Sequence, residues 1–228
     1  MTYVMSDLHG RYDLYLKMLE RIGFSDADTL YILGDFVDRG PDGFRILLDV
    51  MQRPNVRSLM GNHDYYACAI LGRLEAGMSD RDRAALSELI DAWHADGGDV
   101  THKAFLRLAP AERRAVLGYM DDLRYVAALT VGDRAFVLCH GGIDHFDPQK
   151  PLTDYAPDDF VFCRADYGRV YYRDKFLVTG HTPTACIEGG REGRIYRRHN
   201  HIALDCGAVF GMGLGCICLD TLAEFYVK

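Results

Sequence analysis

Apolar residues along the chain follow two patterns that alternate. Short apolar runs bounded by glycine or charge read as strands buried on both faces: Thr2 to Ser6, Thr29 to Leu33 and Val56 to Met60. Between these runs the apolar positions recur at helical spacing. Leu14, Leu16, Leu19 and Ile22 mark a helix over Tyr12 to Ile22, with Gly23 as its stop. Gly43 to Met51 is a second helix, ended by Pro54, and a third follows Asp64 and runs through Leu71. Strand, polar cluster and helix recur in this way three times, which argues for a parallel sheet built from βα units.

From Gly72 to about Arg124 the alternation stops. Asp80 to Ala95 is amphipathic (Leu86, Leu89, Ile90, Trp93), and Pro110 suits the first turn of a helix over Ala111 to Asp122. No ligand-like cluster falls here, so the segment reads as a helical insert beside or over the site, with more scaffold as the alternative. Arg124 to Val131 and Arg134 to Cys139 then make a β-hairpin around Gly132-Asp133. A loop with little pattern reaches about Asp159, and Phe160 to Arg164 is a short run ending in a charge. Phe176 to Thr179, His201 to Leu204, Leu214 to Leu219 and Ala223 to Val227 are strand-like. The last third is expected to form a second, largely antiparallel sheet.

Length and charge narrow the classes. A chain of 228 residues suffices for one α/β domain with a sizeable core. A formal charge of -7 argues against a generic nucleic-acid binder and provides no polybasic membrane patch. The first residues lack a basic region followed by a long apolar run, so neither a signal peptide nor a membrane anchor is expected. The seven cysteines include no CxxC pair, and Cys139, Cys206, Cys216 and Cys218 lie in apolar runs. They read as buried free thiols of a reducing cytoplasm.

The candidate chemistry sits where the apolar runs end. The run Tyr31-Ile32-Leu33 delivers Asp35, Asp38 and Arg39 before the Gly40-Pro41 turn. Four other runs end similarly, at Asp7 and His9, at Asn62 and His63, at His140 and at His181, each beside glycine. Ligands of open α/β sheets bind just outside such carboxyl ends. Carboxylate, imidazole and amide oxygen suit manganese, iron or zinc. Asp7, His9, Asp35, Asn62, His140 and His181 suffice for two metals if one carboxylate bridges. Asp7 and His9 alternate, so both can point to one side of an extended segment.

These residues resemble the motifs of the calcineurin-like metallophosphoesterases, specifically the phosphoprotein phosphatase family: GDxHG, GDxVDRG, GNHE, HGG and GHTP. The corresponding stretches are Ser6 to Gly10, Gly34 to Gly40, Gly61 to Asp64, His140 to Gly142 and Gly180 to Pro183, in the family's order. Leu204 to Gly211 also resembles the bacterial branch. The resemblance implies an α/β fold of the four-layer sandwich type, with central mixed sheets flanked by helices. It implies one domain over 1–228, with the insert at about 72–124. It implies that Asp7 and His9 bind a first metal, that Asn62, His140 and His181 bind a second, and that Asp35 bridges them, manganese being the first choice. His63 would be the general acid oriented by Asp38, with Arg39 and Arg164 gripping the phosphate. Water activated by the two metals would then attack in line.

Three departures bear on the substrate. Ser6 replaces the first glycine, Asp64 replaces Glu as in many diadenosine-tetraphosphate hydrolases, and Met60 stands where many phosphatases carry arginine. Asp38, which those hydrolases commonly replace with a neutral residue, is kept. The expected activity is therefore phosphomonoester hydrolysis on phosphoserine or phosphothreonine in proteins, with phosphotyrosine or a small phosphoester also admitted. The alternative is a dinucleoside-polyphosphate or RNA-cap pyrophosphohydrolase. No stable nucleic-acid partner and no membrane are expected.

Overall fold

The computed structural model describes residues 1–77 and 80–228, apart from the side chains of residues 80–85. The first part of the chain follows the expected alternation: β1 (Thr2–Met5), α1 (Tyr12–Ile22), β2 (Thr29–Ile32), α2 (Gly43–Met51), β3 (Val56–Ser58) and α3 (Asn62–Ala76). Helix α1 buries Leu14, Tyr15, Met18, Leu19 and Ile22, and Gly23 ends it in the left-handed conformation. Then come α4 (Asp80–Trp93), a π-turn at His94–Gly98, α5 (Asp99–Arg107) and α6 (Pro110–Asp121). These helices pack on α2 and α3. The rest is β4 (Val126–Val131), β5 (Arg134–Cys139), the one-turn helix α7 (Asp158–Val161), β6 (Lys175–Thr179), β7 (Tyr196–Arg198), β8 (His201–Ala203), β9 (Leu214–Cys218) and β10 (Glu224–Val227).

Among the described residues the strands form two five-stranded sheets, ordered β10-β9-β1-β2-β3 and β4-β5-β6-β8-β7. The expectation that the last third makes its own antiparallel sheet is wrong. Strands β9 and β10 add antiparallel to the first sheet beside β1, while β6 and β8 continue β5 in parallel. The physical reason lies in burial. Every residue of β9 and of β8 is buried, so each takes an interior place in a sheet. The turn at Asp220-Thr221 fixes only the β9–β10 pairing.

Alternation along the strands sorts the core into layers. Tyr3 and Met5 of β1 face the helical side with Leu14, Tyr15 and Met18. Val4, between them, faces the other sheet and packs with Phe136, Leu138, Val178, Ile202 and Ile217. Helices, two apposed sheets and an outer covering give the four-layer α/β sandwich. The parallel registers leave the strand ends flush: Met5 lies beside Ile32, Ile32 beside Ser58, and Leu138 beside Val178. All five motif-bearing ends therefore open at one rim. No helix among the described residues is long and apolar enough to cross a membrane.

Candidate active site

At that rim the backbone leaves ordinary strand geometry. Asp7, His9, Asp35, Asp38, Arg39 and His181 all have positive φ, between 41° and 69°. Such a conformation costs an L-residue about 1–2 kcal/mol, so tertiary contacts must hold each one. The expected extended alternation of Asp7 and His9 is thus absent, and the two meet different neighbours around Asp35: Asp7 groups with His140, and His9 with His63. The first two loops pair along this stretch, through Asp7 N to Gly34 O (3.1 Å), His9 N to Asp35 O (2.8 Å) and Gly10 N to Phe36 O (2.9 Å). A Cβ at Gly61 would collide with the Asp35 carboxylate, and one at Gly180 with that of Asp7, so both positions need glycine.

Asp35 is the centre. Its Oδ2 lies 3.4 Å from Nε2 of His9 and 3.4 Å from Nε2 of His140, and its Oδ1 accepts from the His63 backbone N–H at 3.0 Å. His9 Nδ1 donates to the Val37 carbonyl at 2.9 Å, and His140 Nδ1 to the Leu33 carbonyl at 2.8 Å. Both rings thus turn Nε2 inward, the orientation that a carbonyl partner imposes on metal-ligating histidine. Arg39 Nη1 sits 3.0 Å from His9 Nε2, and a guanidinium can only donate. That contact fixes the inward nitrogen as a lone pair. Asn62 Oδ1 lies 2.9 Å from His140 Nε2 and 2.9 Å from His181 Nδ1. The Asp7 carboxylate accepts from the His181 backbone N–H at 3.0 Å.

Two sets of ligand atoms lie within 4.8 Å of one another: Asp7, Asp35 and His140, and His9, Asp35 and His63. Asp35 belongs to both. Oxygen and nitrogen lone pairs facing one another in a buried space suit divalent cations, so the donor set fits a metal pair sharing Asp35. The buried groups shift one another's protonation strongly. Burial pushes Asp7 up to about 6, with the Asp35 charge adding to it. Burial would lower His140, but Asp35 and Asp7 outweigh it and raise the ring to about 10. Burial would raise Asp35, but His140, His63 and His9 hold it well below the usual carboxylate range. Burial lowers His9 to about 4; burial and the His140 charge lower His181 to about 3. Arg164 is exposed and contributes to that lowering, and it makes no side-chain hydrogen bond among the described residues.

Beside this centre, His63 Nδ1 donates to Asp38 Oδ2 at 2.8 Å, both side chains being buried. Burial opposes protonation of His63, but the Asp35 carboxylate and the Asp38 hydrogen bond win and raise it. Three contacts from the helical segment, which the sequence did not reveal, reach Asp38 and the neighbouring Arg39. Trp93 Nε1 donates to Asp38 Oδ2 at 2.7 Å, and Thr101 Oγ1 accepts from the Asp38 backbone N–H at 2.8 Å. Asp96 accepts from Arg39 at 3.0 Å. In the sequence Trp93 reads as one more apolar residue of an amphipathic helix. Only the Gly97-Gly98 pair signals a turn there, and nothing local says what the turn touches. Asp64, noted only as a motif variant, ties the loops together. Its carboxylate accepts from the backbone N–H groups of Asp35 (2.7 Å), Phe36 (2.9 Å) and Gly61 (3.1 Å). Burial and the Asp35 charge push it up to about 7 against the pull of those donors. Met60 is buried, so arginine there would lose its hydration without reaching an open site.

The model of the calcineurin-like phosphoesterases matches residues 2–205. The chain belongs to this family. Calcineurin-like phosphoesterases use a dinuclear metal centre, and the carboxylates and imidazoles gathered around Asp35 are the groups with which this member would hold it. Curated relatives include the symmetrical bis(5'-nucleosyl)-tetraphosphatases of Salmonella typhimurium and Salmonella typhi, each 38% identical over 98 residues. Those matches take in 42% of this chain and 33% of the relative, so the chain spans about a third of their length. Among solved structures, a candidate diadenosine tetraphosphatase aligns with TM-score 0.68 and 17% identity over 99% of this chain and 92% of its own. A cold-active protein tyrosine phosphatase aligns with TM-score 0.58 and 15% identity over 100% and 78%. A protein serine/threonine phosphatase from Saccharomyces cerevisiae aligns with TM-score 0.54 and 16% identity over 90% and 66%. At these identities the likeness is one of fold.

Proposed function

We propose that this calcineurin-like phosphoesterase hydrolyses phosphomonoesters, phosphoserine or phosphothreonine in proteins first among them. The observation that carries the reading is the buried His63–Asp38 pair, held by Trp93. An alkoxide leaving group needs a proton as the P–O bond breaks. His63, raised by Asp35 and Asp38, is suited to give it from Nε2 while Nδ1–H stays on Asp38. A polyphosphate leaving group is already a stable anion and needs such a donor less. In this reading Asp7 and His9 hold one divalent ion, Asn62, His140 and His181 the other, and Asp35 both, with manganese preferred over iron or zinc. When bound, such ions supply Lewis acidity toward phosphoryl oxygens and water. Arg39 grips the phosphate from the buried side and Arg164 from the exposed side, neutralising oxygens as charge develops.

A second reading is favoured by the named activity of the relatives at 38% identity: hydrolysis of a dinucleoside polyphosphate. An RNA cap presents the same kind of anhydride. We also read 1–228 as one domain with a helical insert at about 72–124, working in the cytoplasm, where its seven free cysteines stay reduced. A manganese-supplemented panel tests the choice: phosphopeptides, free phosphoamino acids, diadenosine tetraphosphate and capped RNA. The expected result is a higher kcat/KM on phosphopeptides than on diadenosine tetraphosphate. The reverse ranking at matched manganese moves the chain to the second reading.

A further inference from the structure

The turn between α4 and α5 brings a carboxylate to the phosphate-gripping groups. Asp96 Oδ1 accepts from Arg39 Nη2 at 3.0 Å, and Asp96 Oδ2 lies 3.7 Å from His63 Nε2. Its side chain is 62% exposed, so a substrate can reach it. The position is built into the backbone. The helix breaks at Asp96 and at Gly97, whose φ is 96°, and the Gly97 carbonyl accepts from the Arg39 backbone N–H at 2.9 Å. A Cβ at Gly97 would lie 2.7 Å from Arg39 Cγ, and one at Gly98 would strike the Trp93 indole. That indole is in turn hydrogen-bonded to Asp38. Asp96 is therefore pinned on both sides to the residues that would handle the phosphate.

A phosphoester whose phosphate is gripped by Arg39 and whose leaving oxygen is protonated by His63 must put oxygens within hydrogen-bond reach of Arg39 Nη2 and His63 Nε2. The Asp96 carboxylate already stands at that place. It competes with the phosphate for Arg39, and its charge opposes any further anion nearby. A cation beside the phosphate would instead meet a partner. We propose that Asp96 determines specificity: a carboxylate at the mouth of the site that selects phosphoesters with a positive charge beside the phosphate and disfavours polyanions. Resting on the phosphoprotein reading, this makes a phosphopeptide with arginine or lysine next to the phosphoresidue the preferred class.

The test compares wild type with Asp96→Asn, manganese-loaded, on three substrates. Two are phosphoserine peptides differing only in arginine or glutamate beside the phosphoserine, and the third is diadenosine tetraphosphate. Inorganic phosphate binding is measured in parallel by calorimetry. Wild type should prefer the arginine peptide by about tenfold, as expected for one partly solvated charge, and Asp96→Asn should remove most of that preference by improving the glutamate peptide. Phosphate should bind the variant about tenfold more tightly. An unchanged preference with unchanged phosphate affinity overturns the proposal. So does an even loss on all three substrates with weaker phosphate binding, which would make Asp96 a residue that merely positions Arg39. If wild type cleaves the dinucleotide and neither peptide, the phosphoprotein reading fails by itself. Faster dinucleotide hydrolysis and tighter phosphate in the variant would then still support the role of Asp96, and their absence would overturn it.

Discussion

Asp64→Ala removes a side chain that touches no substrate in the proposed reading and yet should be severe. The Asp64 carboxylate is fully buried and accepts three short backbone hydrogen bonds, from Asp35, Phe36 and Gly61. Each donor left buried without an acceptor costs about 1–3 kcal/mol, so three would cost about 3–9 kcal/mol. Water entering the vacated space recovers part of this, and relief of a carboxylate that burial disfavours recovers more. The expected net loss is about 3–5 kcal/mol, or about 10 °C in Tm for a chain of this size. Function should follow stability, because the same bonds hold Asp35 at φ 56°. Released, Asp35 relaxes and its carboxylate leaves the point where the two ligand groups meet.

The assay is thermal unfolding with chelator and then with manganese. Wild type should gain stability from the metal as affinity dictates, and Asp64→Ala should gain much less. The chelated protein adds a signed check. Asp64 is raised to about 7 from an ordinary 3.8, so its folded-state proton is worth most below the lower value. That contribution disappears as pH climbs through about 7. The deficit of the variant should therefore be larger at pH 5 than at pH 8. A deficit under about 1 kcal/mol with an unchanged manganese shift would refute the assignment of Asp64 as the holder of the Asp35 turn.

Three further outcomes are expected. His63→Asn should keep both metals and lower kcat by about 10²–10⁴, less on aryl than on alkyl phosphates; metal loss would instead make His63 a ligand, a role its place beside His9 and Asp35 also permits. Asp38→Asn should lower the pKa of His63 and move the alkaline limb of kcat to lower pH, whereas Trp93→Phe strengthens the hold of Asp38 on the His63 proton and should move that limb up; shifts of the same sign in both would show that Trp93 does not act through Asp38. Chelation should abolish activity and manganese restore it, Asp35→Asn should lower metal occupancy as well as rate, and full activity of a demonstrably metal-free preparation would sink the metal assignment.

The βα units and the motif-bearing strand ends were legible because each depends on local pattern: apolar runs, helical spacing, and glycine beside a ligand-type side chain. The helices α1 and α2 begin and end where the spacing puts them. Sheet membership of the last third was not legible. A fully apolar run such as Leu214 to Cys218 says that a strand is buried and leaves open between which neighbours. The turn geometry of Asp7 and His9 was also hidden, since positive φ at a non-glycine residue is imposed by tertiary contacts such as the Gly34 and Asp35 carbonyls. The contacts of Trp93, Asp96 and Thr101 were hidden for a related reason. They span about thirty to sixty positions in sequence, and each residue type has an ordinary local explanation.

The arginines of the last third sharpen the choice between substrates. Arg191, Arg194 and Arg197 line a groove of about 600 Å³ with Tyr196, Tyr226 and Glu224, which a polyphosphate could use as a basic track. Two of them are already engaged. The Arg194 guanidinium lies 4.5 Å over the Tyr226 ring, and Arg197 pairs with Glu224 at 3.8 Å. A ligand must compete with Glu224 for Arg197, while Asp96 adds a negative charge beside Arg39 and His63. A single phosphate meets neither obstacle in full. In the proposed reading it needs Arg39, a proton from His63 and a metal pair, and the side chains that would supply them lie together around Asp35 at the rim. In the proposed reading, this balance of charge around the site favours a compact monoester over an extended polyanion.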